Sequence, residues 1–151
     1  MHVNRRDMIV ASGALAAAAS AGSQVLAAGD ADHAHHHFAK GLNQPLLAAM
    51  SQSVQAGQVC LHHCVESMKA GDTTLAKCLA AVQDMVAVCT AGGALTAFQS
   101  PFLKDLLKVS LQVCEACEAE CRKHAQTHPE CKACGEACVA CITATRSALA
   151  T

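Results

Sequence analysis

The sequence contains no tryptophan and no tyrosine, and phenylalanine occurs only at Phe38, Phe98 and Phe102. Large aromatic side chains normally supply much of the buried area of a core. A chain of 151 residues is long enough for one domain. With a hydrophobic fraction of 52%, such a domain must fill its core with leucine, valine, alanine, methionine and cysteine instead.

The chain also lacks an excess of charge of either sign. Its formal net charge is −1, and acidic and basic residues are intermixed along the sequence. Because nucleic-acid binding depends on clustered basic residues, we expect no nucleic-acid partner. The sequence shows no positioned acid–base pair and no nucleophile beside a base, so we expect no enzymatic activity.

No apolar run appears long enough to serve as a membrane span, which needs about 20 apolar residues. The apolar run over 9–19 is too short, and it follows Arg5 and Arg6. A charged start, a short apolar middle and an end of small residues predict a cleaved export signal over 1–28. The adjacent arginines predict the twin-arginine (Tat) route. We therefore expect an exported, periplasmic protein.

Strand patterns are missing as well, since few β-branched runs occur and none alternates with polar residues. Helix start and stop signals recur instead: Asn43 with Pro45, Gly71-Asp72-Thr73, Ser100-Pro101 and Thr127-His128-Pro129. They predict helices over about 45–70, 73–91 with an extension to 97, 101–125 and 129–149.

Short connections between long helices predict an all-α fold, an antiparallel up-down-up-down four-helix bundle over 43–151. Four of the nine histidines fall in residues 29–42, which we expect to be a flexible leader.

Cysteine is the residue that the chain has in excess, with eleven copies, an odd number that intrachain disulfides cannot use completely. The cysteines are Cys60, Cys64, Cys78, Cys89, Cys114, Cys117, Cys121, Cys131, Cys134, Cys138 and Cys141. At about 100° per residue, those of the fourth predicted helix fall within roughly 80° and those of the third within roughly 60°. A buried cysteine can be merely a small hydrophobic residue, but eleven on one face predict a cysteine-lined core.

Four chemistries compete for these thiols. Disulfides within a helix are disfavoured because the Cβ vectors of residues i and i+4 run side by side, whereas disulfides between helices remain open. Zinc is usually held by cysteine pairs in turns. The spacing of Cys134, Cys138 and Cys141 matches an iron–sulfur motif that belongs to loops of longer α/β proteins. Copper(I), which is soft and accepts two or three thiolates, fits best; a zinc-binding or disulfide-stapled bundle is the alternative.

Several motifs resemble those of the copper storage proteins: Cys60-Leu-His-His-Cys64, then Cys114-Glu-Ala-Cys117-Glu-Ala-Glu-Cys121, and the run from Cys131 to Cys141. The resemblance covers about residues 45–145. It implies a tetramer of four-helix bundles that stores many Cu(I) ions, with all eleven cysteines as ligands. One copper per thiol gives on the order of ten ions. Copper-requiring enzymes or copper chaperones are the partners to expect besides copper itself.

The resemblance also places His63 near the open mouth of the bundle, with Met68 close by. We expect His124 and His128 at the same end, and leucines with Phe98 and Phe102 as a plug at the other. This chain departs from the family pattern at three positions. They are Ser53 and Thr145, where exported relatives have cysteine, and Leu75, where they have methionine. The two missing cysteines predict a somewhat lower copper capacity than in the exported relatives, and the missing methionine concerns the step by which copper enters.

Overall fold

The computed structural model describes residues 41–151, and these residues form four long helices. In chain order they are α1 (Gln44–Lys69), α2 (Ala76–Ala97), α3 (Leu103–His124) and α4 (Pro129–Leu149), and a single 3-10 turn, Thr73–Leu75, precedes α2. Within this described part no strand occurs, so the all-α prediction is confirmed. The predicted export signal over 1–28 and residues 29–40 of the predicted leader lie outside the described residues.

The four helices form a closed ring of contacts. Helix α1 packs against α2 and α4, and α3 packs against the same two helices. Because consecutive helices are neighbours joined by short connections, they run antiparallel, in the predicted up-down-up-down order. The inner faces enclose one core of buried residues, to which all four helices contribute.

The helix starts follow the local signals of the sequence. The side chain of Asn43 accepts a hydrogen bond from the backbone nitrogen of Leu46 at 3.1 Å, and Pro45 occupies the first turn of α1. Gly71 ends that helix with a φ of +96°, a conformation that favours glycine. Asp72 then accepts from the backbone nitrogen of Thr74 at 3.0 Å and starts the 3-10 turn.

Helix α2 ends at the farther of its two predicted limits, because the glycines at 92 and 93 do not end it. The helix continues to Ala97, and Gly92 is buried where α1 and α2 approach each other. A Cβ atom on Gly92 would lie 2.6 Å from Sδ of Met50. This glycine therefore permits close packing between two helices. From the sequence alone, the same glycine indicates the end of a helix.

The segment Thr73–Ala97 is also long and apolar enough to cross a membrane, judged by length and composition alone. The expectation that no apolar run is long enough to span a membrane is therefore wrong for this segment. The core helix of a bundle meets the same criterion, and Cys78, Val82, Met85 and Cys89 of this segment are buried in the core. Alanines on its outer face raise its hydropathy without adding large apolar side chains.

The end of the bundle opposite the predicted mouth is closed by aliphatic side chains. Leu46, Met50 and Leu107 are buried there. The expectation that phenylalanines join this plug is wrong, since Phe98 and Phe102 are 77% and 71% exposed. Both lie in the connection between α2 and α3, beyond the last core layer, where no described helix covers them.

Candidate metal centre: a thiol-lined core

All eleven cysteines point into the bundle core, and none is more than 1% exposed. All eleven are free thiols, so no disulfide joins any two of them. The cysteine stripes predicted from helix periodicity therefore do converge. Together they form the lining of the space between the four helices, which we call the thiol tube.

Within the thiol tube, sulfur atoms from different helices come close together. The Sγ atom of Cys78 lies 3.6 Å from Sγ of Cys121 and 3.9 Å from Sγ of Cys131. Sγ of Cys60 lies 3.8 Å from Sγ of Cys131 and 4.0 Å from Sγ of Cys64. These separations are about twice the 2.05 Å of a sulfur–sulfur bond, so the atoms are in contact without being joined.

The eleven sulfur atoms fall into four groups, in each of which all Sγ atoms lie within 4.8 Å of one another. The groups are Cys60/Cys64/Cys78/Cys131, Cys60/Cys121/Cys134, Cys117/Cys134/Cys138 and Cys89/Cys114/Cys141. Together they contain every cysteine of the chain. Cys60 and Cys134 each belong to two groups, so three of the four groups are linked through shared sulfur atoms.

The Cys89/Cys114/Cys141 group shares no cysteine with the others, and it borders buried hydroxyl groups. Oγ1 of Thr145 lies 3.9 Å from Sγ of Cys141. Ser53 and Thr145 are both fully buried, on α1 and α4 respectively. Hydroxyls therefore occupy both positions at which the family stripe would continue with cysteine, and the thiol tube ends there.

Burial makes thiolates costly in the metal-free tube. It raises the pKa of Cys64 from 9.0 to about 11 and the pKa of Cys131 to about 12, because the charged form loses its hydration. Hydrogen bonds from neighbouring thiols act in the opposite direction, with Cys121 lowering the pKa of Cys78 and Cys114 lowering that of Cys141. The tube thus holds protons that an incoming cation must displace.

The predicted mouth of the tube is the end of the bundle where α1 and α3 end and α2 and α4 begin. Nε2 of His63 lies 2.8 Å from Nδ1 of His128, and the rings of His124 and His128 are 6.1 Å apart between centroids. Met68 is half-buried in the last turn of α1, one turn beyond Cys64 and on the same side of that helix. The structure therefore gathers the predicted histidines at one end, beside the group that contains Cys60, Cys64, Cys78 and Cys131.

Sequence reasoning missed one residue of this end. The carboxylate of Glu130 contacts His63, with 3.5 Å between Oε2 and Nδ1. Glu130 is half-buried in the first turn of α4. No motif links it to His63, because the contact depends on how α1 and α4 pack.

The fold and the core define a class of protein: a four-helix bundle whose interior is lined by thiols suited to soft metal ions. The family model described as "Copper storage protein" matches residues 39–150. Since this match covers most of the sequence, the chain belongs to the copper storage protein family. The resemblance found in its cysteine motifs is thereby confirmed.

Individual relatives agree with this assignment. An uncharacterized cysteine-rich protein of Bacillus subtilis (strain 168), YhjQ, is 34% identical over 105 residues, which are 62% of this chain and 95% of the relative. The copper storage protein Ccsp of Streptomyces lividans, loaded with 10 copper equivalents, superimposes with a TM-score of 0.67. It is 28% identical over 76% of this chain and 89% of its own. The Cu(I)-bound copper storage protein BsCsp3 gives a TM-score of 0.63 at 28% identity, covering 70% and 96%.

The same comparisons overturn the predicted location. The Streptomyces lividans protein is described as a cytosolic copper storage protein in its five-copper form, so the prediction of an exported, periplasmic protein is wrong. That prediction depended on an arginine pair and an alanine-rich run within residues outside the described part. A thiol-rich core does not require export either, because the cytosol keeps thiols reduced.

Proposed function

We propose that residues 43–151 store copper as many Cu(I) ions bound to the thiolates of the tube. All eleven cysteines are the ligands, and His63 and Met68 assist at the mouth. The observation that carries the proposal is the arrangement of every cysteine into four groups with Sγ atoms within 4.8 Å. Copper bound to solved relatives of the same fold, Ccsp and BsCsp3, supports it.

Charge balance favours a monovalent ion in this core. Eleven thiolates buried in this core would carry eleven uncompensated negative charges, which is prohibitively costly. One Cu(I) ion per thiolate removes that charge, and Cu(I) accepts the two or three soft ligands that each group supplies. Cys60 and Cys134, which each belong to two groups, are placed to bridge neighbouring ions. A capacity on the order of ten ions follows.

Storage in this form has no need of an active site, and we propose a binding role without catalysis. The partners are copper ions and the copper chaperones or copper-requiring enzymes that exchange them. A tetramer, as the family resemblance implies, is the assembly we propose. Analytical ultracentrifugation of the copper-free and copper-loaded protein tests it, and a monomer in both states would contradict it.

An anaerobic Cu(I) titration of the fully reduced protein against a competing chelator tests the storage function. We expect on the order of ten ions bound more tightly than by the chelator. A stoichiometry of one to three would contradict storage and indicate a chaperone or a single metal site.

The direction of filling has a separate test. Cys64→Ala, at the mouth, should slow Cu(I) uptake, whereas Cys114→Ala, deep in the tube, should reduce the capacity and leave the initial rate unchanged. A slower initial rate only in Cys114→Ala would place the mouth at the opposite end.

Zinc is the second candidate, and one observation favours it. The Cys60/Cys64/Cys78/Cys131 group supplies four thiols within 4.8 Å, the ligand number of a closed tetrahedral zinc site. Zinc would occupy this group alone and leave the three-cysteine groups empty. Titration with zinc is therefore expected to stop near one ion, while Cu(I) continues to fill the tube and displaces the zinc.

A further inference from the structure

A carboxylate and two imidazoles form a chain of contacts beside the mouth. Oε2 of Glu130 lies 3.5 Å from Nδ1 of His63, and Nε2 of the same imidazole lies 2.8 Å from Nδ1 of His128. Glu130 and His128 flank the start of α4, whereas His63 belongs to the last turns of α1. The imidazole of His63 therefore stands between an acceptor and a second histidine.

The Oε2 atom of Glu130 needs a donor. This atom is buried and has no hydrogen-bond partner within residues 41–151, although the whole side chain is 32% exposed. A buried carboxylate oxygen without a donor is costly, and Nδ1 of His63 lies within ion-pair distance of it. A carboxylate can only accept a hydrogen bond, so the neutral imidazole of His63 gains most by carrying its proton on Nδ1.

This tautomer decides what the other nitrogen does. With the proton on Nδ1, Nε2 of His63 has a free lone pair, and Nδ1 of His128 must donate to it across the 2.8 Å contact. The lone pair of His128 is then left on its own Nε2. Metal-binding histidines commonly donate their second N–H to a carboxylate in this way, which fixes the tautomer and orients the ring.

We propose that Glu130 is a positioning residue for copper uptake, which fixes His63 in the Nδ1–H tautomer and so presents the Nε2 lone pair to the arriving ion. The inference depends on the proposed function, in which copper reaches the thiol tube past His63. On arrival, Nε2 of His63 exchanges the hydrogen bond from His128 for the copper ion. The ion then moves to the first thiol group, and Glu130 never touches it.

The tautomer can be observed directly in the reduced, metal-free full chain. Long-range ¹H–¹⁵N NMR at pH 8 separates protonated from unprotonated imidazole nitrogens, and His63→Gln identifies the signals that belong to His63. We expect Nδ1 of His63 to be protonated in the wild type. In Glu130→Gln, the ¹⁵N chemical shifts of both ring nitrogens should move toward values averaged over the two neutral tautomers. Glu136→Gln, an exposed position on the same helix, should leave the spectrum of His63 unchanged. A wild-type His63 protonated on Nε2 would overturn the proposal, even if the Glu130 variant folded poorly.

Copper uptake supplies the second measurement. Rapid-mixing transfer of Cu(I) from a competing chelator should be about tenfold slower in Glu130→Gln, the lower end of the usual cost of removing a carboxylate behind a metal-binding histidine. The final capacity should be unchanged, which also shows that the bundle is intact, and Glu130→Asp should recover part of the rate. An unchanged rate in Glu130→Gln would refute the role of Glu130. A wild-type protein that binds only one to three ions would refute the storage function instead.

Discussion

Oγ of Ser53 donates a hydrogen bond to the backbone oxygen of Ala137 across the boundary between α1 and α4, at a distance of 3.1 Å. The bond satisfies a hydroxyl that is fully buried at the inner end of the thiol tube. Ala137 precedes Cys138, so Ser53 and the thiol lining share one layer of the core. Thr145 closes the same end from α4.

Converting both hydroxyl residues to cysteine should lengthen the tube. A thiol at 53 or 145 would lie beside the Cys89/Cys114/Cys141 group, because Oγ1 of Thr145 is 3.9 Å from Sγ of Cys141. We expect Ser53→Cys/Thr145→Cys to bind about two more Cu(I) ions than the wild type, one for each added thiol. Chelator competition under anaerobic conditions measures the difference.

The matched control for this change is Thr143→Cys, which adds a thiol on the exposed side of the same helix. It should leave the number of tightly bound ions unchanged. Equal gains from the buried and exposed cysteines would show that the added capacity does not depend on the tube.

The cysteines should differ in how much capacity each one supports. Cys134 belongs to two of the thiol groups and Cys64 to one. Cys134→Ala should therefore lower the capacity by about two Cu(I) ions and Cys64→Ala by about one, if a shared thiolate bridges two ions. Each substitution should cost about 1 kcal/mol of metal-free stability. The comparison uses chelator competition for capacity and urea unfolding for stability; equal losses of copper would contradict bridging by Cys134.

Raised thiol pKa values predict that the metal-free bundle loses stability in alkali. In the folded protein the pKa of Cys64 is about 11 and that of Cys131 about 12, against an ordinary value of 9.0. A thiol whose pKa is raised by folding stabilises the folded state fully below about pH 9. That contribution is lost as pH rises toward 11 or 12. We expect the urea midpoint of the reduced, metal-free protein to fall between pH 8.5 and pH 10.5.

Copper loading gives the control for this pH dependence. Once Cu(I) has displaced the thiol protons, no thiol of the folded state remains to titrate. Raising the pH over the same range should therefore leave the midpoint constant or raise it, because only the thiols of the unfolded state still ionise, at about pH 9. The thiols with lowered pKa, such as Cys78 and Cys141, gain stability only until the unfolded-state thiols have ionised, just above pH 9. They therefore oppose the fall only at the lower end of this range. A metal-free midpoint that stays flat up to pH 10.5 would contradict the predicted pKa direction.

The fold was predictable from local signals because the residues that start and end a helix act within a few positions of its termini. Asn43 caps α1 and Pro129 opens α4 as expected. At Gly92 the sequence left the end of α2 open between 91 and 97, because the reason for glycine is the side chain of Met50 on another helix. The prediction was wrong for Phe98, which is exposed, because an apolar side chain in a connection between helices need not reach the core.

The thiol tube was predictable for a different reason. Helix periodicity fixes the direction of every side chain, so stripes such as Cys114/Cys117/Cys121 had to share a face. The contacts between sulfur atoms of different helices depend on how far neighbouring helices are displaced along their axes. The spacing of cysteines within one helix gives no information on that displacement. The contact between Glu130 and His63 was hidden for the same reason.

Close packing of α1 against α2 leads to a last prediction, at Gly57. A Cβ atom there would lie 2.5 Å from Cγ2 of Val86 and 2.7 Å from Cε of Met85. Gly57→Ala should therefore destabilise the metal-free protein by about 1–3 kcal/mol in urea unfolding, which exceeds the gain of up to about 1 kcal/mol in helix propensity.

The control for Gly57→Ala is Gly93→Ala, whose Cβ would meet Cδ1 of Leu47 at an ordinary 3.8 Å. That variant should gain up to about 1 kcal/mol of stability, because propensity acts there without a clash. A wider gap between α1 and α2 in Gly57→Ala should also separate Cys60 from Cys78, and so weaken the four-thiol group at the mouth. If Gly57→Ala proved as stable as Gly93→Ala, close contact between these two helices would not be what holds that group together.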